Sequence, residues 1–219
     1  AAAERLVAAR AQRPFADVDD LARRARLERR ELEALAAAGA LASLAGHRHR
    51  ARWACAAVEP PAPLLAGAAP AEAAPLLRPP GEGEDLVADH ASLGLSLGRH
   101  PLALLRPRLR KRALLEADHL RRRPAGQRVR TAGLVTNRQR PGSASGVVFV
   151  TLEDETGVTQ VVVWPDLAQR QRAVLLRARL LVVEGKLQRE GEVLHLIATR
   201  LEDYSPLLGE LSVSSRDFR

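Results

Sequence analysis

The sequence predicts an α+β chain: a helical N-terminal domain, a proline-rich linker and a C-terminal five-stranded barrel. Three observations carry this reading. Strong helix formers fill positions 1–58, with apolar residues at the i, i+3, i+4 spacing. Seven of the 14 prolines lie between Pro60 and Pro80. Five short Val/Leu-rich runs separated by turn residues occupy 125–204. The expected boundaries are 1–58 helical, 59–88 linker, 89–124 basic helical connector, 125–204 barrel and 205–219 tail.

The first helix covers the run from Ala2 to Arg10 and stops at Pro14, which cannot continue the hydrogen-bond ladder. Asp17 or Asp19 can cap a second helix carrying Leu21 and Ala25. A third runs from about Glu28 to Ala38, with Leu32, Leu35 and Ala36 on one face and Gly39 suited to a left-handed end. A fourth is expected over 46–58. The prolines of 59–88 disrupt both helix and sheet ladders. Leu93-Gly-Leu-Ser-Leu-Gly-Arg-His-Pro101 precedes a helix expected to reach about Arg123. Strands follow at Val129–Thr136, Val147–Glu153 and Val158–Trp164, with a turn at 153–157. A helix from Pro165 to about Leu176 then leads to strands at Arg179–Gln188 and Val193–Ala198. Five strands with a helix between the third and fourth is the order of an OB-fold barrel. The tail from Ser205 shows no clear element.

With 219 residues, the chain holds one large or two small domains. Aromatics are 3% against 46% apolar residues, so Leu, Val and Ala must build the core. Cys55 is the only cysteine, which excludes an internal disulfide and a Cys-based zinc site. Lying among Ala and Trp53, it reads as a small buried hydrophobe. No apolar run approaches the ~20 residues of a membrane span, so no membrane partner is expected. No signal peptide opens the chain. There is no methionine, and the chain reads as a piece of a longer or processed protein.

The net charge is +8, and it is focused. Between Arg99 and Arg140 stand 13 Arg/Lys against Glu116 and Asp118, a local excess of +11. That pattern favours a polyanion. Arg106, Arg108, Arg110 and Lys111 are therefore expected to contact a phosphate backbone. On the barrel, alternation puts Val148, Val150 and Leu152 on one face and Val147, Phe149 and Thr151 on the other. The aliphatic set suits the core, leaving Phe149 outward; a register shifted by one would bury it. On the third strand Gln160, Val162 and Trp164 share a face, and Trp164 could equally cap the barrel end. An outward Phe149 and Trp164 could stack on bases. Arg138 and Arg140 would flank the first loop, Lys186 and Arg189 the last.

Catalytic chemistry is poorly supported. The Asp17, Asp19, Asp20 and Glu153, Asp154, Glu155 groups read as capping or solvated carboxylates. His47 and His49 lack a third ligand at metal spacing. No phosphate loop or nucleophile elbow is present, and no cofactor is expected in this chain.

Several stretches resemble the C-terminal region of bacterial C-family DNA polymerases, the polymerase III alpha type, most of all its error-prone lesion-bypass branch. Pro14-Phe-x-x-Val-x-Asp-Leu-Ala22, Leu32-Glu-Ala-Leu-Ala-Ala-Ala-Gly-Ala-Leu41 and Gly46-His-Arg-His-Arg-x-Arg-Trp53 resemble its helix-hairpin-helix region. Leu93-Gly-Leu-Ser-Leu-Gly-Arg-His-Pro-Leu102 resembles the loop before its OB domain. Ala144-Ser-Gly-Val-Val-Phe-Val-Thr-Leu-Glu-Asp-Glu-Thr-Gly157 is similar to that domain's second strand, and Ser215-Arg-Asp-Phe-Arg219 to the family's terminus. The resemblance implies a bacterial, cytoplasmic DNA-binding portion of a polymerase. The palm carboxylates and their Mg2+ would lie upstream of Ala1. The absence of a Gln-x-x-Leu-Phe clamp motif favours the error-prone branch. Accessory lesion-bypass proteins are implied as partners. The barrel segment also resembles anticodon-binding OB domains, in which the residue matching Phe149 stacks on a base. A protein-interaction platform, with apolar anchors over Leu207–Phe218, and a tRNA-binding module remain as alternatives.

Overall fold

The computed structural model describes residues 1–58, 75–142, 146–191 and 193–209. The chain divides into two units, Ala1–Leu97 and Gly98–Arg219.

The first unit holds α1 (Ala2–Gln12), α2 (Val18–Arg24), α3 (Arg29–Ala37), α4 (Ala42–Ala45), α5 (Arg48–Ala57) and α6 (Glu82–Leu93). The side chain of Asp17 accepts the Asp20 N–H at 2.8 Å and caps α2. His47 Nδ1 accepts from the Arg50 N–H at 3.3 Å and caps α5. The core gathers Leu21, Leu32, Ala36, Leu41, Ala51 and Cys55. Gly39 turns the chain after α3 with φ +70°, and a Cβ there would stand 2.9 Å from the Arg48 guanidinium. Arg48, itself buried, pairs with Asp85 at 3.6 Å and with Asp89. These contacts correct the expected linker, because 82–88 are helical. Pro80 is the last proline before Pro101. Gly81 begins the helix, with its N–H bonded to Glu84 Oε2 at 2.6 Å. Residues 59–74 of the expected linker lie outside the described residues.

The second unit begins with α7 (Pro101–Lys111) and α8 (Ala117–Arg121). The single helix expected to Arg123 is thus two. Ala113 takes φ +55°, and Leu115 pairs with Thr131 as a parallel bridge. Leu114 and Leu115 turn into two different cores there. Strands β1 (Arg128–Gln139), β2 (Val148–Asp154), β3 (Gly157–Val163), β4 (Leu180–Glu190) and β5 (Val193–Asp203) close a barrel in the order β1-β2-β3-β5-β4. Among the barrel strands described, β3 and β5 pair in parallel and the other pairs are antiparallel. Between β3 and β4 lie α9 (Pro165–Arg170) and α10 (Arg172–Arg177). The break falls at Gln171, whose side-chain amide exchanges two hydrogen bonds with the Leu201 backbone, at 2.8 and 2.9 Å.

Val150, Leu152, Val161, Val163, Leu187 and Leu196 fill the barrel. A second apolar layer sits outside it, where Leu102, Leu105 and Leu109 of α7 cover Ala132, Leu180 and Val182. The tail is not without structure: α11 (Pro206–Gly209) forms, and Leu207 packs on this second layer. Leu207, an expected docking anchor, is therefore used by the chain's own core. Phe218 lies outside the described residues.

The acidic turn corrects another expectation, for Asp154 is buried rather than solvated. Its Oδ2 accepts the Ala117 N–H at 2.7 Å, and its Oδ1 accepts the Thr156 N–H at 2.7 Å. Asp118 N–H donates to Thr156 Oγ1 at 3.1 Å. The β2–β3 turn thereby supplies the acceptors that the first turn of α8 lacks.

Candidate nucleic-acid interface

With Leu102, Leu105 and Leu109 of α7 packed on Ala132, Leu180 and Val182 of β1 and β4, the candidate surface is the outer side of β2, β3 and β5. Strand pairing sets two rows that run around the closed barrel, one residue from each strand, with their middles on β2, β3 and β5. The first runs Gln139, Phe149, Val162, Ile197, Lys186. The second runs Asn137, Thr151, Gln160, His195, Gln188. These residues point outward because their strand neighbours Val150, Leu152, Val161 and Leu196 fill the barrel. The ends of each row are exposed and the middles half-buried, apart from Val162, which is 9% exposed. Phe149 therefore sits half-buried and outward beside Val162, not in the barrel core. Gln160 Oε1 accepts from Thr151 Oγ1 at 3.2 Å. His195 Nδ1 is enclosed with no hydrogen-bond partner among the described residues. Central apolar contacts with a polar and cationic edge make a surface to which a flat base and a charged backbone can both bind.

At the β1–β2 end, Arg140 and Pro165 flank Gly146: a Cβ there would stand 3.4 Å from Arg140 Nη2 and 3.6 Å from Pro165. Trp164, next in line, precedes α9 and is 55% exposed. At the β4–β5 end, exposed Arg189 donates through Nη2 to the Arg121 carbonyl at 2.9 Å. Lys186 is exposed and lies opposite Arg128 on β1.

Two sequence expectations need correction. Arg138 does not reach the face. Its Nε donates to the Leu175 carbonyl at 2.6 Å and its Nη2 to the Ala178 carbonyl, so it braces the end of α10. It stands opposite Val150, a core position, because the bulge between Val135 and Asn137 has reversed the alternation of β1. Arg106 is only 5% exposed and is held by three carboxylates, so it is a structural cation and not a backbone contact. Arg110 is exposed but engaged with Glu116 Oε1 at 2.8 Å. Arg108 and Lys111 are exposed on α7, the helix that covers the β1–β4 side.

The structure puts Phe149 and Gln160 on the adjacent strands β2 and β3, with Arg140 and Trp164 near the β1–β2 end, whereas Lys186 stands on β4, paired with Ile197 and Arg128, and Arg189 lies beside Arg121. Asn137, His195, Ile197 and Arg121 were missed. The parallel β3–β5 pairing places His195 and Ile197, and no local pattern announces such a pairing. Arg121 lies in the basic stretch, and the break at Ala113 that places it on a separate α8 has no local signal in the sequence.

Among the described residues no helix is long and apolar enough to cross a membrane, and no cluster of three metal-ligating side chains forms. Residues 129–204 match the family described as OB-fold nucleic acid binding domain, and residues 1–51 match the helix-hairpin-helix motif. A protein named error-prone DNA polymerase from Alkalilimnicola ehrlichii is 60% identical over 99% of this chain and 21% of its own length. Another of that name from an Azoarcus species is 60% identical over 100% of this chain and 20% of its own. Asparaginyl-tRNA synthetase from Pyrococcus horikoshii, in complex with asparaginyl-adenylate, superposes on 42% of this chain and 22% of its own at 21% identity and TM-score 0.36. The chain spans about a fifth of the length of the curated relatives it matches. The resemblance carried by Pro14–Ala22, Leu32–Leu41 and Ala144–Gly157 holds: this chain is a homologue, over its whole length, of part of the error-prone DNA polymerases, with a helix-hairpin-helix motif followed by an OB-fold nucleic acid binding domain.

Proposed function

We propose that this chain is the DNA-holding part of an error-prone polymerase that acts in damage-tolerant, translesion synthesis. The outer face of β2, β3 and β5 grips a strand, either single-stranded template or one strand of the primer-template. The observation that carries the reading is Phe149, half-buried and turned outward between Gln139 and Val162, outside the barrel core. Base stacking there is worth ~1–3 kcal/mol. Lys186, Arg140 and Arg189 meet phosphates, and Trp164 offers a second stacking surface beside Arg140. Nucleotide addition and its Mg2+ belong to other parts of the parent, in the bacterial cytoplasm. Accessory lesion-bypass proteins would dock on surfaces other than this face.

A gel or filter assay with single-stranded and primed DNA tests the reading. Log K should fall linearly with log salt, as cations displace counterions. Salt-independent binding, or none at low salt, overturns it. Stronger competition by tRNA than by primed DNA would favour an anticodon-type role instead.

A further inference from the structure

A groove of about 390 Å3 opens where α8 meets the start of β3 and β5. Its lining includes Arg121 and Arg189, the aliphatic Val158, Val193 and Leu194, and Gln160. No carboxylate lines it among the described residues. Val158 is 43% and Val193 51% exposed, an unusual pair of open aliphatic side chains on parallel neighbouring strands. The arginines are tied to one another, since Arg189 Nη2 donates to the Arg121 carbonyl at 2.9 Å. Arg121 in turn lies across the β2–β3 turn. A Cβ on Gly157 would meet its Nη2 at 2.6 Å, so the glycine leaves the guanidinium its place.

Gln160 belongs both to the groove and to the second row of the face. From the Val162 row to Val158 is four residues along β3, roughly 13 Å. The groove is thus the next station along the same surface. Its contents match the parts of one nucleotide, with aliphatic walls for a flat base and two cations for a phosphate.

We infer that this groove seats one nucleotide at the end of the gripped strand, its phosphate between Arg121 and Arg189 and its base against Val158 and Val193. The inference rests on the strand-binding reading of the β2-β3-β5 face and extends it by a definite subsite.

The test is fluorescence anisotropy with the full 219-residue chain and labelled oligo(dT) from about 4 to about 12 nucleotides. Affinity should rise when the oligomer becomes long enough to pass the central rows and enter the groove. Arg121→Gln and, separately, Val193→Glu should leave the shortest oligomer's Kd within about twofold and remove about tenfold of the gain at greater length. Both positions are exposed, and a melting curve checks that each variant is folded. If the variants weaken every length equally, or leave the gain intact, the groove is not a nucleotide seat. If the unaltered chain binds no oligomer at any salt, the strand-binding reading itself falls and the subsite with it.

Discussion

Arg106 and Glu155 meet with Nη2 2.7 Å from Oε2, at positions 49 residues apart in sequence. The pair fastens α7 to the β2–β3 turn. Burial by itself would lower the Arg106 pKa and raise that of Glu155. Burial is the largest single influence on each, but the hydrogen bond between them and the surrounding opposite charges together outweigh it, so the guanidinium stays charged and the carboxyl lies below its usual range. Asp154 and Glu116 each stand 3.6 Å from the same guanidinium. One cation therefore serves three carboxylates, and those carboxylates also organise the entry to α8 and the salt link to Arg110.

Arg106→Met should cost about 3–5 kcal/mol, since it strands buried carboxylates without their counter-ion. Urea denaturation followed at the barrel reads the loss. DNA affinity per folded molecule should stay within about twofold, because Arg106 is not on the binding face. A loss of stability below ~1 kcal/mol would show the cluster to be peripheral, and a large loss of affinity in folded protein would restore Arg106 as a contact.

Acid should loosen the same unit. The folded Glu155 carboxyl titrates below its ordinary 4.5. Its contribution is therefore complete at neutral pH and is lost as pH falls below 4.5 through the folded value. Glu155→Gln should be less stable than the unaltered chain near neutrality, and the gap should narrow in acid. Urea midpoints measured from about pH 7 to about pH 3 check this. A gap that is constant with pH would mean that the Glu155 charge is not what stabilises the turn.

Much of this architecture was legible because local chemistry agreed with the fold. Asp17, Pro14 and Gly39 punctuate the helices where the sequence placed them. The alternation in Val148–Leu152 separates the barrel lining from Phe149 and Thr151, whereas Val147, expected on the outward side, is buried. What was not legible depends on partners far away in sequence. Glu153-Asp154-Glu155 looks like any solvated turn until Arg106 is packed against it. Arg138 looks like a loop cation until a bulge turns it toward the carbonyls of α10. Glu82–Ala88 reads as the end of a linker because the pairing of Asp85 and Asp89 with the distant Arg48 leaves no local signal. Electrostatics at a distance, and the parallel β3–β5 pairing, lie beyond any window of sequence.

Phe149→Ala separates a binding role from a packing role. Phe149 lies outside the barrel core, whereas its neighbour Val150 is fully buried in it. The Phe149 change should weaken single-strand binding by about 1–3 kcal/mol, or roughly 5- to 150-fold. Its melting temperature should stay close to that of the unaltered chain. Val150→Ala should do the reverse, lowering stability by ~2 kcal/mol with near-normal affinity in the folded fraction. A Phe149→Ala chain that melts early and binds normally when folded would assign Phe149 to packing.

Gly185 offers the sharpest test of how the face is held. It lies at the irregularity between Glu184 and Gly185 in the β4–β5 pairing. A Cβ there would sit 2.2 Å from the Ile197 carbonyl oxygen and 2.9 Å from its carbon, a collision with backbone that no rotamer relieves. Gly185→Ala must therefore push β5 away from β4. Ile197 and Lys186 are both on the first row of the face, so the displacement should reach the binding surface as well as the core. We expect a stability loss of about 1–3 kcal/mol together with weaker DNA binding by the molecules that remain folded. Gly191 is the control. Nothing lies within 4 Å of a Cβ there, and only its φ of +60° opposes a side chain. Gly191→Asn, a residue that tolerates the left-handed region, should be nearly neutral in stability. Equal melting temperatures for the Gly185 and Gly191 variants would mean that β4 and β5 are not held as closely as the Ile197 carbonyl implies.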